Sequence, residues 1–224
     1  MTQMTSTTLP GKCILINSFM GENLYEKINK EVVFQDIVRM GVFSPSILSN
    51  QCDIVNGVYP LYRHPIDIEP VVHSWSPTIL SIRNKILENL NTSFNHCLIR
   101  KYRNGDDHIR EHSDKILDIK PGSCIVNYSC GTSRIIYFRH KITRQVTKIE
   151  LLPDSLFIMD YQTNIDYFHA IKKQSIIKEP RISCTFRMID TFKHPDKKVT
   201  GQGSMFQDFI NEEILEEYTK QNKT

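Results

Sequence analysis

No two cysteines in this chain stand in a Cys-X-X-Cys pair, and the six present, at 13, 52, 97, 124, 130 and 184, show no zinc-ligand spacing. A chain of 224 residues is also too large to need disulfide staples, so reduced and mostly buried thiols are expected. Apolar runs long enough to cross a bilayer are missing, which argues against membrane-spanning helices. The opening residues, Met1 to Ser6, are polar and lack the basic-then-apolar pattern of a secretory leader. An intracellular protein with no membrane partner is therefore expected. Internal repeats and low-complexity tracts are absent too, which sets repeat architectures aside. Strong charge is lacking: a net +3 does not by itself call for a nucleic-acid partner.

What remains is ordinary for a globular domain, with 40% hydrophobic and 24% charged residues. Residues 1–10 read as a disordered lead. Cys13 to Phe19 suits a strand, and the spacing of Leu24, Ile28, Val32, Val33 and Ile37 predicts a helix that Gly41 and Pro45 end. Ser44 to Pro77 reads as a long irregular region carrying Tyr59, Tyr62, Arg63, His64 and Trp75. A second amphipathic helix is predicted over Pro77 to Leu90, with proline suited to its first turn.

From Phe94 onward, short strands are predicted near Cys97 to Tyr102, Ile109 to His112, Cys124 to Ser129, Arg134 to His140, Thr147 to Leu152, Leu156 to Met159, Tyr167 to Ile171 and Arg181 to Met188. Eight strands after two helices suggest an α+β fold, a double-stranded β-helix (jelly roll) core with supporting N-terminal helices. Residues 11–192 would form this domain, as a monomer. A polar linker over 193–204 and an amphipathic helix over 205–224 would follow.

The chemistry gathers around His112-Ser113-Asp114, whose imidazole and carboxylate leave the same face of an extended segment. Two His and one carboxylate on one face of a metal leave positions open for a cosubstrate and dioxygen, as in non-haem Fe(II) oxygenases. His169, in the strand-like Asp166 to Ile171, is the candidate third ligand. A zinc hydrolase would use the same three groups. On the last strand, Arg181, Ser183, Thr185 and Arg187 share one face, and two interior arginines are costly unless they meet anions. A small dicarboxylate answers that need: Arg181 as a fork on one carboxylate, Thr185 and Tyr102 adding hydrogen bonds, the 2-oxo acid end on the metal. The alternative pairs the arginines with acids such as Asp160 or Asp166.

From about Tyr62 to Arg187 the chain resembles the AlkB family of Fe(II)- and 2-oxoglutarate-dependent dioxygenases, in its nucleic-acid dealkylating branch. The matching text is Phe94-Asn95, Tyr102-Arg103-Asn104-Gly105-Asp106-Asp107, His112-Ser113-Asp114, Phe138-Arg139-His140-Lys141, Pro153-Asp154-Ser155-Leu156, His169, Pro180-Arg181 and Thr185-Phe186-Arg187. The resemblance implies Fe(II) on His112, Asp114 and His169, and 2-oxoglutarate on Tyr102, Arg181, Thr185 and Arg187, with O2 as second cosubstrate. It further implies oxidative demethylation of N-alkylated bases in DNA, more than RNA, with release of succinate, CO2 and formaldehyde. The same chemistry on a protein or small molecule is the alternative.

A flipped base would sit between an aromatic ring and the first ligand histidine, for which Tyr62 leads Tyr59 and Trp75. The basic run Arg134, Arg139, Lys141, Arg144 and Lys148, without an acid, would lie along the nucleic-acid duplex or single strand. The chain departs from the family pattern at Arg100, where Asn is usual. It departs again after Asp114, where Lys115 and Ile116 stand in place of an acid.

Overall fold

A computed structural model describes residues 9–39, 42–63 and 71–206 of the chain. Strand β1 (Cys13–Ile16) and helix α1 (Tyr25–Glu31) precede β2 (Gln35–Arg39), β3 (Val42–Cys52), β4 (Tyr59–Pro60) and β5 (Val72–His73). Helix α2 (Pro77–Leu90) leads to β6 (His96–Tyr102), β7 (Ile109–His112), β8 (Ile125–Gly131), β9 (Arg134–His140), β10 (Val146–Leu151) and β11 (Ser155–Met159). The short α3 (Tyr161–Asp166) runs directly into β12 (Tyr167–Ile171), followed by β13 (Arg181–Arg187), β14 (Thr191–Lys193) and β15 (Val199–Gly201). Among the described residues no helix is long and apolar enough to cross a membrane.

The major sheet has the order β1-β11-β8-β13-β6-β3-β2, with β5 added parallel to β3. The minor sheet is β10-β9-β12-β7, and a small third sheet joins β15, β14 and β4. The period of two along each central strand divides the core into two layers. Cys97, Ile99, Val126, Tyr128, Leu156, Ile158, Ile182, Cys184 and Phe186 face one way and pack with Ile28, Ile79, Ile82 and Ile86 of the helices. Leu98, Tyr102, Ile125, Phe157 and Met159 face the other way and meet Phe138, Ile149, Leu151 and Ile171 of the minor sheet. This face-to-face pair of antiparallel sheets is the expected jelly roll, with helices behind the larger sheet.

Helix α2 has the predicted limits: Pro77 occupies the first turn, Asn91 closes the helix in the left-handed region (φ 49°), and Ile79, Ile82 and Ile86 are buried. Glu31 accepts hydrogen bonds from the Thr78 amide (2.8 Å) and hydroxyl (2.6 Å), which places a carboxylate at the helix's positive end. The first helix is shorter than its spacing predicts. It ends at Glu31, Val32 is already extended, and Gln35–Arg39 is a strand on the sheet edge. Adjacent β-branched Val32 and Val33 favour that change.

The supposedly irregular region opens with β3, which pairs with β6 from Ile47 opposite Lys101 to Cys52 opposite His96. Its pattern was hidden because its buried positions are polar: Ser46, Ser49, Asn50 and Gln51. The expected linker over 193–204 begins instead with a hairpin, β14 against β15. No disulfide links the six cysteines, four of which are buried. Residues 1–8 of the expected lead, His64, and the expected helix over 205–224 past Phe206 lie outside the described residues.

Candidate active site

The first histidine ends β7, and the β7–β12 pairing places His112 directly opposite His169, with ring centroids 4.4 Å apart. Asp114 is fixed by α3. Its amide donates to Asn164 Oδ1 (2.8 Å), and Asn164 Nδ2 donates back to its carbonyl (2.9 Å), so one buried side chain imitates a strand partner. Ser113 Oγ donates to the Tyr167 carbonyl (2.7 Å), tying the tripeptide to the start of β12. Asp160 sets the helix itself by capping it through the Thr163 amide (2.9 Å). Asn164 was not among the residues singled out in the sequence, where it is one asparagine among many.

Asp114 Oδ1 lies 3.7 Å from Nε2 of both histidines. Its other oxygen, Oδ2, accepts from Arg187 Nε (3.1 Å) and Nη2 (2.7 Å). Burial alone would raise the Asp114 carboxyl, but Arg187, His169 and His112 together hold it well below the usual carboxylate range. Burial, and next His112, pull the His169 pKa down to about 4, so its imidazole is neutral near pH 7. His112 Nδ1–H donates to the Arg110 carbonyl (2.8 Å), which leaves the Nε2 lone pair aimed at Asp114.

The cavity between the sheets runs from this triad to Arg181, and Arg100, Tyr102, Asn127, Ser183, Thr185 and Arg187 share its polar wall. Arg181 is 1% exposed. Its Nη2 donates to Ser129 Oγ (2.8 Å) and more weakly to Asn127 Oδ1 (3.4 Å), while Nε and Nη1 are buried without a hydrogen-bond partner among the described residues. Asp160 and Asp166 do not serve it: Asp160 caps α3, and Asp166 accepts from Gln162. Asn127, also unforeseen, donates to Ser183 Oγ (2.6 Å) and Thr185 Oγ1 (2.9 Å) and so sets the polar wall around Arg181.

The family model described as the 2OG-Fe(II) oxygenase superfamily matches residues 48–187. The chain belongs to this superfamily. Human DNA oxidative demethylase ALKBH2 is 34% identical over 188 residues, 79% of this chain and 71% of that protein. The mouse ALKBH2 is 33% identical over 123 residues, covering 51% and 52%. The alpha-ketoglutarate-dependent dioxygenase alkB homolog 3 of Bos taurus is 32% identical over 151 residues, 63% of this chain and 51% of that protein. The chain thus spans about half the length of several curated relatives it matches. The solved structure of OsALKBH1 superimposes with a TM-score of 0.55 at 13% identity, covering 81% of this chain and 100% of that one, a likeness of fold alone.

For a 2OG-Fe(II) oxygenase the family implies ferrous iron and 2-oxoglutarate, and the donor set fits both. Two imidazole nitrogens and a carboxylate oxygen lie within 4.8 Å of one another. Three acceptors at 3.7 Å are too far apart to share a hydrogen bond and too close to leave unanswered without a cation. At the far end, the orphaned N–H groups of Arg181 call for an acceptor, a role that a carboxylate fits. The turn before the triad is held by Gly105, where a Cβ would sit 1.8 Å from the Gln174 carbonyl oxygen, and by Asp107, which accepts from Arg103 Nε and Nη2 (both 2.9 Å).

The candidate substrate residues are placed less uniformly. Tyr62 is buried beneath the Arg187 guanidinium, 4.5 Å from ring to cation, so it backs the arginine that holds Asp114. Trp75 lies behind the major sheet, stacked on Phe186 (6.4 Å) with its indole N–H on Asp53 (2.7 Å). A large ring with one donor fills that gap and satisfies its N–H there, away from the cavity. Tyr59 belongs to the small sheet, opposite Lys193. Arg139 is on the outer face of β9, donating to Glu111 Oε1 (2.7 Å) and stacking over Phe168. Arg134, expected on the basic edge, is interior and spent on the carbonyls of Asn104, Asp107 and Lys172 and on Gln174 Oε1.

Proposed function

We propose that this chain is a 2-oxoglutarate-dependent dioxygenase that oxidatively demethylates N-alkylated bases in nucleic acid, DNA more than RNA, acting as an intracellular monomer. The observation that carries the proposal is the pair of unanswered Arg181 N–H groups at one end of a cavity whose other end is a His-Asp-His cluster. The curated relatives named as DNA oxidative demethylases support the substrate class.

When bound, ferrous iron with 2-oxoglutarate and O2 supplies an oxidant that hydroxylates a methyl carbon on nitrogen; succinate and CO2 leave, and the hydroxymethyl group departs as formaldehyde. His112 and His169, both offering Nε2, and Asp114 Oδ1 would hold the metal. Arg181 takes the distal carboxylate of the cosubstrate as a fork, with Tyr102 and Thr185 orienting it. Leu98, Ile136, Phe138, Leu151, Phe157 and Ile171 keep water from the space between. Arg187 remains a proposed contact of 2-oxoglutarate, and its bonds to Asp114 Oδ2 would also hold that carboxylate in place for the metal. Arg139 remains a proposed contact toward the nucleic-acid backbone, whereas Tyr62, buried beneath Arg187, supports that arginine rather than meeting the base.

The test is incubation with Fe(II), 2-oxoglutarate, ascorbate and oligonucleotides carrying 1-methyladenine or 3-methylcytosine. The expected result is methyl loss by mass together with stoichiometric succinate, both absent in His112→Ala. A second reading, the same chemistry on a protein or small molecule, is favoured by one observation: Asp118, the nearest acid after Asp114, is committed to Arg63 (2.6 Å). Succinate formation stimulated by peptides but by no oligonucleotide would select it.

A further inference from the structure

The two faces of the minor sheet carry different chemistry. The inner face meets the cavity through Ile136 and Phe138 of β9, Leu151 of β10, and His169 and Ile171 of β12. The period of two therefore turns Tyr137, Arg139, Lys148 and Phe168 outward. Lys141, in the β9–β10 turn, and Lys172, just past β12, join them over the rings. Lys172 Nζ is 4.5 Å and Lys148 Nζ 5.5 Å from the centroid of the Tyr137 ring. Lys141 Nζ is 4.9 Å and the Arg139 guanidinium 5.2 Å from that of Phe168. Each ring thus carries two cations, and both rings are only half-buried.

The cations about the two rings are not equally engaged. Arg139 answers Glu111, and Lys141 Nζ donates to the Ile165 carbonyl. The ammonium groups of Lys148 and Lys172 meet only the Tyr137 ring among the described residues, and both side chains are exposed. Four cations against Glu111 and Glu150, the latter outward opposite Ile135, leave the face positive. The register also spaces the rings. Tyr137 stands opposite Ala170, and Arg139 opposite Phe168, so Tyr137 and Phe168 are diagonal neighbours, roughly 7 Å apart along the face. Aromatic rings at that step with cations beside them match the alternation of base and phosphate in an unpaired strand. A duplex, whose bases stay stacked on one another, offers such rings nothing.

We propose that the outer face of the minor sheet is a platform for single-stranded nucleic acid, with Tyr137 and Phe168 stacking on unpaired bases and Lys148 and Lys172 meeting the phosphates. The inference rests on the reading above only in taking nucleic acid as the partner, and it places a second binding surface on the far side of the sheet from the cavity. Phe168 adjoins His169 in β12, so a strand held on this face stays close to the triad while leaving the cavity free for the reacting base.

The test is fluorescence anisotropy of a labelled, unmethylated oligothymidylate titrated with the full chain over a series of salt concentrations. Lys148→Gln combined with Lys172→Gln should raise the Kd and flatten the slope of log affinity against log salt by about 1.4, the counterions of two single-strand phosphates. Lys148→Arg with Lys172→Arg should restore both. Tyr137→Leu should raise the Kd roughly tenfold and leave the slope unchanged, because stacking releases no counterions. Should Tyr137→Leu not fold, an abasic strand on the wild type reads the same contact and should bind more weakly at the same slope. A wild-type slope in the double glutamine variant overturns the proposal, and equal wild-type affinity for abasic and ordinary strands overturns the stacking role of the rings. Oligoglutamate of equal charge that displaces the probe as well as unlabelled strand does would assign the face to an acidic polypeptide and overturn it too. A wild type that removes methyl groups yet binds the probe without these residues sinks this inference alone. One that binds through this face and leaves methylated strands intact sinks the demethylase reading and spares the platform.

Discussion

The two ends of the cavity are built from the same materials and balanced in opposite ways. At the triad end, Arg187 and Asp114 satisfy each other, with two N–H groups on one carboxylate oxygen. At the other end, Arg181 has only neutral hydroxyl and amide oxygens, and two of its nitrogens have none. A buried cation with a carboxylate partner belongs to the fold. One without such a partner belongs to a ligand, because its desolvation is repaid only when an anion arrives.

That contrast is broken most severely at the proposed metal ligands. Asp114→Ala removes both a proposed ligand and the partner of Arg187, and turnover should fall to background in a succinate assay. Arg187→Leu, next in size, strands the Asp114 carboxylate in the core and should destabilise the protein by about 3–5 kcal/mol, read as a lowered denaturation midpoint. Arg181→Leu should behave in reverse. The folded state loses an unanswered cation and should be as stable as wild type or more so, while 2-oxoglutarate binding weakens by about a hundredfold or more. A large drop in stability there would show that Arg181 is structural.

A change of pH probes the triad end in the metal-free protein. The folded pKa of His169 is about 4, below its ordinary 6.5. The unfolded chain therefore binds a proton in this interval that the folded one refuses. Stability should be complete above about pH 6.5 and decline as pH falls toward 4, with His169→Gln flattening that part of the curve. The smallest effect is expected behind the sheet. Trp75→Phe removes the bond to Asp53 and should cost about 1 kcal/mol, with turnover unchanged.

Strand β13 was legible because its two faces carry different chemistry: Arg181, Ser183, Thr185 and Arg187 line the cavity, while Ile182, Cys184 and Phe186 enter the helix layer. Helix α2 was legible for a similar reason, with a proline start and a sustained apolar stripe. Strand β3 was not, since Ser46, Ser49, Asn50 and Gln51 look like loop residues until the neighbouring strand surrounds them. Helix α1 was read too long because Val32 continues the buried row of Leu24 and Ile28 although its backbone has already turned extended. Asn164 and Asn127 escaped notice because an asparagine's importance lies in which backbone or hydroxyl it meets, and those partners are distant in sequence. Trp75 drew attention as an aromatic among polar residues, but its placement was decided by a gap beside Phe186.

The most direct test is a crystal structure of the chain grown with Mn(II) and 2-oxoglutarate, with the metal located by its anomalous signal. The account predicts one ion bound by His112, Asp114 and His169, and a diacid whose far carboxylate sits on Arg181. An ion bound elsewhere, or a diacid that leaves Arg181 untouched, would contradict it.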